Sequence, residues 1–264
     1  MPESALPAER ASCSRCQRVL KAHARYCSHC GHAAHRSLDG PAAAPGADPE
    51  AGFNRRWAAL RPAGWLFGLL LATTFALGLV ERIAHSPWVQ VSAGAIDALV
   101  VLAFALAHSR ALAPLLGLPR WDRRTSGLLL ALALGFIAAM SGYFAILQHL
   151  GIPMIRMSED FQAAGWPVGS MFVLVSIMPA VIEELGFRGV IQSHLEHALG
   201  AREAWLTQAA LFSVLHLSPI IFPSHFVMGL VFGFMRLRSR SLYPGMLLHA
   251  SWNALALSQE LYMS

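Results

Sequence analysis

Charge is scarce in this chain of 264 residues: charged residues make up 13% and apolar ones 55%, where ordinary soluble domains carry about 25% charged. That scarcity, with a mean hydropathy of +0.48, argues against a pair of soluble domains and predicts a membrane bundle with a short N-terminal module. No cysteine follows Cys30, so thiol chemistry is confined to the first thirty residues. No repeat of about 20–50 residues stands out, which argues against an inverted-repeat transporter. The formal charge of +5 is compatible with nucleic-acid binding, but the arginines gather in short clusters between apolar runs rather than on one polar face. They read as topology signals, and no nucleic-acid partner is expected.

The four cysteines form Cys13-x-x-Cys16 and Cys27-x-x-Cys30 with ten residues between the pairs. Two such knuckles bring four thiolates into tetrahedral reach of one structural Zn²⁺, and a segment too small for a hydrophobic core can fold on that metal. The expectation is a zinc ribbon over residues 1–32. Two disulfides are the alternative, but Met1 to Arg10 is polar and reads as no signal peptide, which disfavours an oxidising compartment. His23, His29 and His32 read as solvent-exposed, since four cysteines complete a closed site. Residues 33–53, rich in Ala, Pro and Gly, read as a flexible linker to a membrane domain over 54–264. A ribbon on such a tether suits recruitment of a protein partner.

Apolar spans follow at about Pro62–Val80, Val89–Ala107, Ser126–Gln148, Val168–Phe187, Trp205–Leu217, Phe222–Met235 and Tyr243–Leu261, judged against the roughly 20 helical residues a bilayer needs. The predicted fold is an all-α polytopic membrane protein with about seven transmembrane helices. The fifth and sixth spans are short and separated by Pro219 and Pro223, so they read as tilted, re-entrant or joined by a tight turn. Arg55, Arg56 and Arg61, then Arg110, Arg120, Arg123 and Arg124, then Arg236, Arg238 and Arg240 mark cytoplasmic ends and place the N-terminus in the cytoplasm. Trp57, Trp65, Trp88, Trp121, Trp166 and Trp205 lie near span ends, as an aromatic belt requires.

Against this background Glu183, Glu184 and Arg188 call for a reason, because an ionisable group at membrane depth costs about 2.5–3.5 kcal/mol on insertion scales and normally faces a cavity or a partner. On one helix Glu184 and Arg188 are i,i+4 neighbours that can pair, while Glu183 points about 100° away as a free carboxylate. His249 and Asn253 share a helical face, as do Phe212 and His216. Gly186 and Gly189 read as points of close helix packing or as a helix end. His225, on the short Phe222–Met235 span, could join the site but reads first as packing at a helix terminus, Asp97 and His108 read as structural, and His194, Glu196, His197, Arg202 and Glu203 as a solvated connector. Counting along the spans sets Glu183 and His249 near cytoplasmic ends and His216 late in an outward-running span. The three are level only if the helix near Pro219 is short, tilted or broken.

Three ordered motifs carry a resemblance to a known family: Glu183-Glu184-Leu185-Gly186-Phe187-Arg188 as E-E-x-x-x-R, Phe212-Ser213-Val214-Leu215-His216 as F-x-x-x-H, and His249-Ala250-Ser251-Trp252-Asn253 as H-x-x-x-N. Together they resemble the CAAX prenyl protease and bacteriocin-processing (CPBP, or Abi) intramembrane proteases over roughly Met171 to Ala254, within a motif-bearing core of about 168–262. The resemblance implies an endopeptidase that activates water against a peptide bond of a membrane-associated protein or peptide. It implies Glu183, His216, His249 and Asn253 as catalytic, with Glu184, Arg188 and Phe212 supporting. Two versions stay open: Zn²⁺ held by Glu183, His216 and His249, which we favour, and a metal-free site with Glu183 as general base. A non-proteolytic immunity or scaffold protein of the same fold is the alternative, with a transporter behind it. By resemblance, the expected location is a bacterial inner membrane.

Overall fold

The computed structural model describes residues 49–84, 86–119, 122–153 and 156–262. Cys13, Cys16, Cys27 and Cys30 and most of the expected linker lie outside the described residues. The described residues contain seven principal helices and no strand: α1 (Pro49–Ala84), α2 (Pro87–Ala107), α3 (Arg123–His149), α4 (Val168–Leu199), α5 (Ala201–Leu215), α6 (Phe222–Ser239) and α7 (Tyr243–Tyr262). The last residues assigned to the linker are therefore helical, beginning at Pro49. Short helical turns at Ser109–Leu112 and Glu159–Ala163 lie in the connections.

Four stretches, Arg56–Ala84, Pro87–Ala107, Arg123–His149 and Val168–Leu199, are helices long and apolar enough to cross a membrane. They support a multi-pass membrane protein. Much of their apolar surface faces outward, with Leu99 69% and Leu106 75% exposed on α2, which in water would be an unmet demand for a partner. The inner faces meet in one core containing Leu66, Val101, Phe136, Phe187, Phe212, Phe232 and Leu248, one from each helix in order.

Local chemistry starts and ends these helices. Pro87, with its preset φ and no N–H to lose, opens α2 behind the Ser86 cap. Asp122 caps α3 by accepting from the backbone N–H groups of Arg124 (3.0 Å) and Thr125 (2.9 Å). The Thr125 hydroxyl and these amides hold its carboxyl below the usual carboxylate range. Gly200, at φ 95°, breaks α4 from α5 in a conformation that L side chains rarely adopt. At Gly229 on α6 an added Cβ would lie 2.6 Å from the Ala209 Cα on α5, so these helices touch backbone to backbone.

The structure departs from the sequence reading in three places. The fourth helix does not end at Phe187 but runs to Leu199, and this puts Glu183 at its midpoint. Of the residues read as a solvated connector, His194, Glu196 and His197 lie instead in its last turns and Arg202 and Glu203 in the first turn of α5; His197, Arg202 and Glu203 are exposed as expected, while His194 is half-buried and Glu196 pairs with Arg236. Arg236, read as a topology signal, is itself buried on α6, where its Nη2 also donates to Ser193 Oγ at 2.7 Å. Ionic and hydrogen-bonding demand outweighs the bias towards the membrane surface here.

Candidate active site

Helix α4 is wound loosely in two places, with π-helical turns at Phe172–Ile177 and Glu184–Ile191 flanking an ordinary segment, Met178–Glu183. Pro179 explains the first: it has no N–H, and its ring clashes with the carbonyl four residues back, so a wider turn relieves the conflict. The second opens at the Glu183–Glu184 junction and is buried throughout. Wide turns of this kind recur where a helix must re-aim polar side chains.

Glu184 and Arg188 form the expected ion pair, Oε1 to Nη1 at 2.9 Å, with side chains 1% and 0% exposed. The Arg188 guanidinium lies over two rings, its Cζ 4.2 Å from the Phe212 centroid and 5.3 Å from that of Phe232, as a desolvated cation prefers. The second glutamate oxygen approaches Gly245 on α7, where an added Cβ would come within 2.8 Å. That position must stay small for the carboxylate to fit.

Glu184 also reaches His249 on α7, whose Nδ1 lies 3.3 Å from Oε1. A carboxylate only accepts, so Nδ1 carries a proton. Nε2 lies 3.9 Å from Oε2 of Glu183, beyond direct hydrogen-bond reach. Glu183 Oε2 is buried with no hydrogen-bond partner among the described residues. The two atoms thus face each other across a gap that one water can bridge.

His216 caps the C-terminus of α5, and its Nδ1–H donates to the Phe212 carbonyl at 2.9 Å. The Phe212 ring is the hub of the cluster: its centroid is 5.1 Å from His216, 6.2 Å from His249 and 6.0 Å from His225. At 15 residues, α5 rises only about 22 Å before ending at His216, and Glu183 stands midway along α4. Asn253 is half-buried one turn beyond His249.

Two side chains near these groups had been read chiefly as structural. His225 on α6 packs against His216 with centroids 3.9 Å apart and the rings tilted by 46°; it has no place in the three motifs, and its position on the short Phe222–Met235 span was the hint that it could join the site. Asp97 on α2 lies within electrostatic range of Glu183, and its Oδ1 is buried with no partner among the described residues. Contacts on either side fix its level, since an added Cβ at Gly94 would strike Met178 and one at Gly186 would meet Val101. An aspartate in an apolar run was the available signal.

Residues 165–255 match the family model described as type II CAAX prenyl endopeptidase Rce1-like. The matched stretch is CAAX protease-like. All three motifs, and with them Glu183, His216, His249 and Asn253, lie inside it. No curated protein and no solved structure matches the chain. The match speaks for a protease and leaves the kind of water activation to the site. Among the described residues no group of three or more His, Cys, Asp or Glu side chains stands close enough together to hold one metal ion; a metal held by Glu183, His216 and His249 stays what the resemblance implies.

Proposed function

We propose that this chain is an intramembrane endopeptidase in which Glu183 activates a water molecule against a peptide bond of a membrane-associated protein or peptide. The observation that carries this reading is the 3.9 Å gap between Glu183 Oε2 and His249 Nε2, inside a CAAX protease-like stretch. With His249 as the neutral imidazole, a water donating one hydrogen to each presents its oxygen lone pairs outward. Glu183 takes a proton as the oxygen attacks the carbonyl carbon and passes it to the amide nitrogen as the C–N bond breaks, a role suited to a carboxylate whose Oε2 has no hydrogen-bond partner among the described residues. The Asn253 amide, on the His249 face, is the neutral donor for the developing oxyanion. Glu184 and Arg188 hold the His249 tautomer and close the site with the Phe212 ring.

An apolar cavity of about 860 Å³ is lined by Val181 and Leu185 on α4 and by Met246 and Leu247 on α7, a surface suited to an apolar part of a substrate. The N-terminal cysteines fit a separate role, a zinc ribbon that recruits a protein partner. Cys13→Ser is expected to abolish zinc binding by mass spectrometry with cleavage retained; unchanged zinc would remove the ribbon from this scheme.

The deciding experiment places the purified full-length protein in liposomes with quenched-fluorescent peptides, with and without a prenylated C-terminal cysteine, and identifies products by mass. Cleavage at one bond of either peptide supports the reading. No cleavage of any peptide or of membrane-protein extracts by inserted, folded protein would assign the chain to a non-proteolytic scaffold role.

A further inference from the structure

The turn that joins α5 to α6 is held from several sides. Leu217 takes the left-handed conformation at φ 50°, which directs the chain back at once. Ser213 Oγ donates to the Phe222 carbonyl at 2.5 Å, Ser224 Oγ to Ile221 at 2.7 Å, and Tyr143 of α3 reaches the Ile220 carbonyl. On the two sides of this turn stand His216 and His225, tied down in the same way. Each donates Nδ1–H to the carbonyl four residues back, His216 to Phe212 at 2.9 Å and His225 to Ile221 at 3.0 Å. Each ring therefore has its tautomer set, and each keeps Nε2 free. Their centroids are 3.9 Å apart at an interplanar angle of 46°, and both rings meet Phe212.

Packing at a helix start would need an apolar side chain against the nearest wall. Here the contact is ring against ring with a residue of the candidate site, from a helix whose own start is pinned independently. We propose that His225 is a positioning residue for the hydrolysis described above: by packing against His216 from a second direction, beside the contact with Phe212, it completes an aromatic clamp that fixes the direction of His216 Nε2 towards the substrate. The inference rests on that functional reading for its catalytic meaning, but the clamp itself is testable without turnover.

The test compares wild type, His225→Ala and His225→Phe, all full length and in liposomes, by two measurements. The first is the rate at which diethylpyrocarbonate modifies His216, followed by peptide mass spectrometry. Loss of one aromatic partner should raise that rate by about 2- to 10-fold in His225→Ala, and the ring of His225→Phe should return it to the wild-type value. The second is steady-state cleavage, where His225→Ala should lower kcat by roughly tenfold at unchanged KM and unchanged thermal midpoint, with His225→Phe recovering most of it. Equal His216 modification in all three proteins overturns the clamp. A normal modification pattern in a wild type that cleaves nothing leaves the clamp standing and removes the protease reading. Wild-type kcat in His225→Ala with faster His216 modification shows that the clamp exists and that hydrolysis does not need it, which overturns the positioning role.

Discussion

Glu183→Gln is expected to lower kcat/KM for peptide cleavage by about 10²- to 10⁴-fold, the usual contribution of a general base, while leaving thermal unfolding in detergent near the wild-type midpoint. The side chain is 27% exposed and its Oε2 has no hydrogen-bond partner among the described residues, so an amide of the same shape breaks no ion pair and opens no cavity. What it removes is proton affinity at the atom facing His249. Glutamine still accepts a hydrogen bond through its carbonyl oxygen, and therefore water is still held but not deprotonated. The loss should appear in kcat rather than KM, since substrate binds before the water reacts. A Glu183→Gln enzyme that keeps more than about a tenth of wild-type kcat/KM would remove Glu183 as the base.

Arg188→Met should cost about 3–5 kcal/mol of stability, the penalty for stranding one partner of a buried pair. Methionine fills most of the space between Phe212 and Phe232, so the effect is electrostatic more than volumetric. Glu184, 1% exposed, would keep a buried charge with only His249 Nδ1 close by. The expected readout is a strongly lowered thermal midpoint, with most of the loss recovered in the double variant Arg188→Met/Glu184→Gln, which removes the stranded charge. If the double variant is no more stable than the single one, the arginine acts through packing. Arg188→Lys should not rescue, because an ammonium cannot spread over two aromatic faces and reach the carboxylate together.

Much of this was legible from residue order. The i,i+4 spacing of Glu184 and Arg188 foretold the ion pair, and the glycines at 186 and 189 foretold close approach: an added Cβ would lie 3.2 Å from Val101 at Gly186 and 2.9 Å from Leu112 at Gly189. The run of apolar residues located α1, α2 and α3, though α1 and α3 extend past it because helical hydrogen bonding continues into polar turns that hydropathy does not register. The end of α4 was misjudged at Phe187 for the same reason: Gln192 and Glu196 look like surface residues until Arg236 is seen beside them. Phe212 could be named as part of a motif, but its place beneath Arg188 and between three imidazoles depends on four helices meeting. His225 and Asp97 were present in the sequence without a pattern, and only packing gives them neighbours. The cysteine segment lies outside the described residues and keeps the standing it had as a sequence expectation.

The loosened turns of α4 bear on how this chain reaches its final form. A π-turn closes its hydrogen bonds one residue further on than an α-turn, so each one offsets the angular register of every residue after it. Pro179 imposes the first wide turn from within the helix, but no proline lies in Glu184–Ile191, so on its own that stretch would relax to ordinary winding and send Arg188 in a direction different from that seen here. The bearing of Arg188 is therefore conferred by the surrounding helices, and its seat on the Phe212 and Phe232 rings is acquired only on assembly. A partly assembled chain in the membrane would carry every one of these residues and no seated Arg188, a safeguard against premature hydrolysis that the sequence of α4 by itself does not contain.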